Sequence, residues 1–371
     1  MATKKIYVTR PYLPPKKEFY KYVDEIWASK ELTNCGKFHN ILENSLCELL
    51  GVNHISLFAN GTIALVVALR ALKITGEVIT TPFSFVATAH ALVWNDIKPI
   101  FVDIEDNSFN IDPIKVEAAI TDKTTAILAV HCYGHPANID LLSKIAKKYN
   151  LYLLYDAAHA FGVSINDKSI LNSGDMSILS FHATKVFNTF EGGAIVCNTL
   201  EMKKTIDSLK NFGFVDEISV DVIGINGKMA EINAALGLAQ LPHIKKVIAA
   251  RGKIDALYRN LLSQVKGIKL WSSENNVQDN YSYFPITVEE EYPLSRDELF
   301  DKFRERNIIV RRYFYPLISD FKIYKEKYPP LKNLANAKKI SSEVLCLPIY
   351  PGLNNDEIIK ICEIIKVNAK L

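Results

Sequence analysis

Between Leu151 and Val196, two short apolar runs each lead into a residue with chemistry to offer. The run LYLLY, residues 151–155, has the length of a buried strand and delivers Asp156 to its carboxyl end. A second run, Ser177 to Phe181, delivers Ser180, His182 and Lys185. Glu191, Gly192 and Gly193 then read as a tight turn into the apolar AIV, which puts Lys185 on a loop clamped between strands. Upstream, strand and helix patterns alternate: HISLF into a helix holding Thr62, EVITT into a helix after Pro82, KPIFV, TTAILAV, and the helix LLSKIAKKYN. The expected class is α/β with a mostly parallel sheet, which holds ligands at the carboxyl ends of its strands.

An acid and an amine at neighbouring strand ends have a chemical use. Pyridoxal phosphate (PLP) needs a lysine amine to hold its aldehyde as a Schiff base and a carboxylate to keep its pyridine nitrogen protonated. Asp156 and Lys185 suit those two roles. Taken singly, a strand-end Asp is more simply a turn or helix cap and a lone Lys a solvated side chain. The pair, with the lysine between strands, favours the chemical reading.

The segments SFHATK and EGGAIV, the preceding DAAHAFG, and ANGTIAL at 59–65 together resemble the DegT/StrS-type sugar aminotransferases. The resemblance runs from about Pro11 to Pro351. It implies the type I fold of PLP-dependent transferases: a large PLP-binding domain with an N-terminal arm over residues 1–245, and a smaller α+β C-terminal domain over 246–371. It also implies roles for particular residues. Lys185 is the catalytic amine and Asp156 the ring-nitrogen partner. Gly61 and Thr62 bind the cofactor phosphate at a helix N-terminus, with Ser180 donating to it. Phe85 stacks on the pyridine, and His159 lies beside the ring oxygen. Asn226 reaches the phosphate in the partner subunit's site, which makes the expected assembly a homodimer with shared sites. In GINGKM, Lys228 replaces the usual Arg and so loses the bidentate fork. Lys228, Arg311, Arg312, Tyr313 and Tyr315 are candidate substrate contacts.

Several of these residues also have ordinary readings. ANGT is equally a strand-to-helix turn capped by Thr62, and Phe85 is equally core packing. Residues 311–315 are equally the alternating positions of a strand. Ser84 and Thr88 receive no role. The remaining strands of the second domain are expected in NYSYFPITV, NIIVRRYFYP and EVLCLPIY, with SRDELFDKFRERN as a helix. The chain after Val196 reads as helical, and a further helical stretch runs from about Met229 to Leu262.

A net charge of +3 with interspersed signs offers no electrostatic footprint for nucleic acid. No apolar run reaches membrane-spanning length and the MATKKIYVTR end lacks an apolar core, so a cytoplasmic enzyme is expected. The six cysteines show no CxxC or zinc spacing and read as reduced thiols, none of them marked as the reactive thiol a desulfurase of this fold would need. No metal is expected. His131 and His135 are four apart in a Gly-Pro loop, not on a helix, and Asp103, Glu105 and Asp106 lie along a strand and turn.

The expected reaction is transfer of an amino group from glutamate to a keto sugar nucleotide, with pyridoxamine phosphate carrying it in the second half. The resemblance points to carbon 4 of dTDP-4-keto-6-deoxy-D-glucose and to surface polysaccharide biosynthesis. A carbon-3 aminotransferase, a UDP- or GDP-sugar substrate, and a non-catalytic PLP-binding regulatory protein stay open. Related 3-dehydrases carry histidine where this chain has Lys185, which favours transamination over dehydration.

Overall fold

The computed structural model describes residues 5–272, 274, 276–330 and 332–369. The outermost residues of the two expected domains, 1–4 and 370–371, lie outside the described residues. Seven apolar runs become the strands β1 (His54–Phe58), β2 (Glu77–Thr80), β3 (Lys98–Phe101), β4 (Thr124–Val130), β5 (Tyr152–Asp156), β6 (Met176–Ser180) and β7 (Gly193–Cys197). They form one sheet in the order β1-β7-β6-β5-β4-β2-β3. The pairings among β2 to β6 are parallel, while β7 runs antiparallel to both β1 and β6.

Period-two alternation sends neighbouring side chains to opposite faces, so both faces need helices. Ile178 of β6 and Ile195 of β7 join a core beneath α3 (Gly61–Ala71), whereas Leu179 and Ala194 join one beneath α2 (Lys37–Leu50). The N-terminal helix α1 (Lys16–Ser29) adds Phe19, Tyr22 and Ile26 to the second of these cores. The helix α4 (Ala87–Trp94) follows β2, α5 (Ile139–Tyr149) leads into β5, and α6 (Leu200–Leu209) follows β7.

After α6 the expected helix does not continue. Residues 210–230 form an irregular hairpin in which Phe214 bridges Val220 and Asn211 bridges Asn226. Gly213, at φ +86°, is one reason: a Cβ there would meet the Val222 carbonyl oxygen at 1.7 Å. Helix then resumes as α7 (Glu231–Gln240) and α8 (Ile244–Leu262). Along α8, Ile244 and Val247 belong to the core beneath α2, but Ile254, Tyr258 and Leu262 belong to another.

That other core is built on an antiparallel sheet of β8 (Ile268–Leu270), β9 (Phe284–Val288) and β10 (Val344–Leu347). Its helices α9 (Arg296–Glu305) and α10 (Asn355–Asn368) each begin with a capping box, Ser295 with Glu298 and Asn354 with Glu357. Ile6–Tyr7 pairs with Ile308–Ile309 in a separate two-stranded sheet, and Ile6 and Ile308 tie the N-terminal arm to this second core. The expected strand NIIVRRYFYP stops at Ile309. Arg311 makes a single bridge to Cys346, and the Tyr315 N–H turns back to the Arg312 carbonyl at 2.7 Å, ahead of Pro316, which has no N–H to offer a ladder.

Candidate active site

Asp156 ends β5 and Ser180 ends β6, and the parallel register places Asp156 opposite Ile178, so both emerge on the same edge of the sheet. The loop from Phe181 to Gly192 crosses that edge, carries Lys185, and is pinned by Phe181 N–H to the Gly192 carbonyl at 2.8 Å. Gly193 opens β7 against the start of α3, where a Cβ would lie 2.6 Å from the backbone of Asn60 and Gly61. Asn60 caps α3 by accepting from the Ile63 N–H at 2.9 Å. The cap is therefore Asn60 and not Thr62, and the helix N-terminus, with its partial positive charge, opens into the same space.

That space is a cleft of about 280 Å³. Gly61, Thr62, Ser180, Phe85, Asp156, His159, Lys185 and Tyr313 all line it, with Ser84, Tyr283 and Phe314 beside them. A larger hollow of about 710 Å³ lies elsewhere, around Glu105, His135 and Trp271, and contains neither Asp156 nor Lys185. Chemistry, not volume, selects the site.

Asp156 is 5% exposed. Burial raises its carboxyl pKa, while three groups favour the anion: the Thr88 hydroxyl at 2.7 Å, the Ala158 N–H at 3.2 Å, and the charge of Lys185. Thr88 has one proton and donates it to Asp156, so it must accept from Ser84, whose hydroxyl is 2.8 Å away. Ser84, Thr88 and Asp156 thus form a proton-ordered chain ending on the carboxylate. Burial lowers Lys185 to about 8, partly offset by Asp156. Its Nζ lies 5.9 Å from the Tyr283 ring centre, over the ring face.

His159 accepts the Tyr133 N–H on Nδ1 at 3.1 Å, and its ring lies nearly parallel to Phe314 at 6.2 Å. Burial and the Lys185 charge hold it well below its ordinary pKa. It is neutral, and with Nδ1 accepting, its proton sits on Nε2. Phe85 is 60% exposed in the chain, so it is not core; it presents an aromatic ring to the cleft.

The other expected residues lie apart from this lining. Asn226 is exposed on the 210–230 hairpin. Lys228 donates to Asn211 at 2.7 Å and sits over the Phe212 ring. Arg312 pairs with Asp297 at 2.7 Å, Arg311 bridges Cys346, and Tyr315 is covered by Arg296 and Arg312. Asp103 is buried and accepts from Asn336 and Ala337 at a helix start, which is capping work. His131 accepts from the Ala137 N–H and stacks on Tyr155. Among the described residues no group of three or more His, Cys, Asp or Glu is arranged to hold a metal, and no helix is long and apolar enough to cross a membrane.

Thr88, Ser84, Tyr283 and Phe314 were not singled out by sequence reasoning. Thr88 reaches Asp156 across 68 positions, and nothing in PFSFVAT signals that contact.

The donor set fits PLP: an anion-binding helix end beside a serine, an exposed aromatic ring, and a buried carboxylate and amine in one cleft. The sequence model of the DegT/DnrJ/EryC1/StrS aminotransferase family matches residues 15–366. This chain belongs to that family. The aminotransferases of this family work with PLP. A dTDP-4-amino-4,6-dideoxy-D-glucose transaminase of Shigella dysenteriae is 53% identical over 95% of the chain and 96% of its own length. One of Escherichia coli is 50% identical over 98% and 99%. The solved structure of DesI in the presence of its TDP-sugar product superimposes with a TM-score of 0.94 at 32% identity, covering 98% of this chain and 93% of that one. That structure shares the fold seen here over nearly its whole length.

Proposed function

We propose that the chain is a PLP-dependent aminotransferase that moves an amino group from glutamate to carbon 4 of dTDP-4-keto-6-deoxy-D-glucose. The convergence of Lys185 and Asp156 in one cleft carries the reaction class. The product named for the relatives at 50% and 53% identity supports the sugar.

When bound, PLP supplies an aldehyde that exchanges amines and a ring that accepts electrons, and its pyridoxamine form carries the amino group between the two half-reactions. Asp156 would hold a proton at the ring nitrogen, and the Ser84–Thr88 chain keeps that carboxylate ionised and aimed. Gly61, Thr62 and Ser180 would hold the phosphate, Phe85 would lie against the ring, and His159 has an Nε2–H to offer the ring oxygen. Lys185 would hold the aldehyde, and as a free amine it would move a proton to and from the reacting carbon. An amine near 8 is partly neutral at physiological pH and suits both directions of that transfer.

The working unit is a homodimer. Asn226 stands outside its own chain's cleft, on a hairpin whose Ile218 is 91% and Ile223 84% exposed. Such apolar exposure fits coverage by a second copy, which brings Asn226 to the partner's phosphate site. Lys228, Arg311, Arg312 and Tyr315 then serve the sugar nucleotide from the rim of the shared site, with Tyr313 inside it. The chain divides at about 245/246, within the first turn of α8, a helix that packs on one core as far as Val247 and on the next from Ile254. Six free cysteines fit a cytoplasmic enzyme.

The test is a panel of keto sugar nucleotides with glutamate as donor, the position of the new amine being read by NMR. The expected product is the dTDP-4-amino-4,6-dideoxy sugar; an amine at carbon 3, or turnover only with UDP or GDP sugars, overturns the assignment.

A further inference from the structure

One segment leading into the second sheet also enters the cleft. Asn280 to Tyr283 run into β9, and Tyr283 lines the cleft beside His159 and Lys185. The Tyr283 ring centre lies 4.9 Å from that of His159 and 5.9 Å from the Lys185 Nζ.

The backbone of this segment is fastened at several points. Asn280 is 0% exposed, and its Nδ2 donates to the His159 carbonyl at 2.8 Å and to the Phe161 carbonyl at 2.9 Å. Its Oδ1 accepts from the Ser282 N–H at 3.0 Å. Two carbonyls on the amine side and an N–H on the oxygen side leave the amide only one way round. The Ser282 hydroxyl donates to the same His159 carbonyl at 2.7 Å. Arg251 of α8, 2% exposed, holds the Tyr281 and Ser282 carbonyls at 3.2 and 3.3 Å and that of Ile349 at 3.1 Å.

The His159 carbonyl therefore accepts twice, one donor for each lone pair, which fixes the plane of the peptide that follows its Cα. The ring of the same residue is held at Nδ1 by the Tyr133 N–H. Different elements thus secure its two halves: the loop after β4 holds the imidazole, and the approach to the second sheet holds the backbone. Gly134 permits the close fit. At φ +95°, a Cβ there would lie 3.0 Å from both the Asn280 Oδ1 and the His159 carbonyl oxygen. The turn being held, which follows β5, also keeps the Ala158 N–H on Asp156 at 3.2 Å.

We propose that Asn280 is a positioning residue for the amino transfer: it fixes the His159 backbone so that the imidazole Nε2–H is presented to the cofactor's ring oxygen. The inference rests on the reading of His159 as the donor to that oxygen. Hydrogen bonds weaken steeply outside about 2.7–3.2 Å, so a shift of about 0.5 Å in the turn is enough to lose this one. The second sheet reaches the cofactor by this route without touching it.

A double-mutant cycle on the full-length holoenzyme tests this, with Asn280→Ala, His159→Phe and the two combined. The phenyl ring keeps the stacking on Phe314 and removes both nitrogens. Two quantities are read: the PLP dissociation constant by equilibrium dialysis, and the pH midpoint of the bound cofactor's visible absorbance. A donor at the ring oxygen favours its unprotonated form, so losing that donor raises the midpoint. His159→Phe should weaken PLP about tenfold and Asn280→Ala about fivefold, and both should raise the midpoint. In the His159→Phe background, Asn280→Ala should cost less than about twofold and leave the midpoint where it is. Losses that multiply in the double variant, or an Asn280→Ala midpoint equal to wild type, overturn the proposal and leave the reading of His159 intact. A His159→Phe enzyme with wild-type affinity and midpoint overturns that reading and the proposal with it. If Asn280→Ala fails to fold, Ser282→Ala decides, since it removes one of the two donors and leaves Asn280 in place. Its midpoint should rise and Ser282→Thr should restore it; an unmoved midpoint in Ser282→Ala overturns the proposal.

Discussion

The floor of the cleft and its rim are built differently. At the floor, Asp156, Thr88 and His159 have partners from the same chain: Asp156 has Thr88 and Ala158, Thr88 has Ser84, and His159 has the Tyr133 N–H. These partners sit on strand ends and on a helix packed against the sheet, so their positions are set by the core. At the rim, Asn226 and the apolar side chains of the 210–230 hairpin face outward, and Arg312 is occupied by Asp297. The floor is built from one chain, whereas the rim leaves the apolar side chains of the 210–230 hairpin exposed. Such a division lets the cofactor chemistry stay constant while the sugar specificity is set on loops.

Three perturbations separate floor from rim. Replacing Lys185 with Ala strikes the floor hardest: turnover should fall by about 10³-fold or more, because the proton mover and the tether are lost together. Far-UV circular dichroism should be unchanged, since Lys185 lies on a loop and carries no core packing. A variant retaining a tenth of wild-type turnover would remove Lys185 from the mechanism.

The rim is tested by mixing. Asn226→Ala homodimers should lose roughly tenfold in activity, the scale of one charge-assisted hydrogen bond to phosphate. Dimers pairing a Lys185→Ala chain with an Asn226→Ala chain contain one intact site if Asn226 acts across the interface, and none if it acts within its own chain. Recovery of about half of wild-type turnover per heterodimer supports the crossed arrangement. Activity no higher than that of the Asn226→Ala chain's own sites rules it out.

The smallest effect belongs to the hydroxyl chain behind Asp156. Thr88→Val removes the donor and leaves the carboxylate with the Ala158 N–H, so the Asp156 pKa should rise. Cofactor affinity should fall by a factor of about ten, with the loss growing as pH drops because the protonated acid no longer pairs with the ring nitrogen. Thr88→Ser should keep most of the affinity. Equal losses for Val and Ser, measured by equilibrium dialysis of PLP across pH, would show that the methyl group and not the hydroxyl matters.

Much of the floor was legible in the residues themselves. A strand that ends on Asp156, a helix beginning at Gly61 and a clamped loop around Lys185 each follow from local rules of strand length, turn chemistry and helix starts, and the structure gathers all three in one cleft. Phe85 could not be told from core without knowing that 60% of it is exposed. The strand expected through Arg311 to Pro316 failed because alternation survives in residues that the backbone has already turned away from the ladder. The helix expected after Val196 was cut short because the chain folds back on itself at Gly213 and Gly224, where close backbone approach leaves no room for a Cβ.

Residue order alone therefore determined the α/β class, the lysine and the carboxylate, because each is written in a few neighbouring positions. Only the tertiary structure decided what surrounds them. The Ser84–Thr88–Asp156 chain and the single tautomer of His159 depend on groups brought to within about 3 Å by packing, and on water being kept away from their charges. Burial and long-range contact set those acidities, and neither is a property of a short stretch of chain.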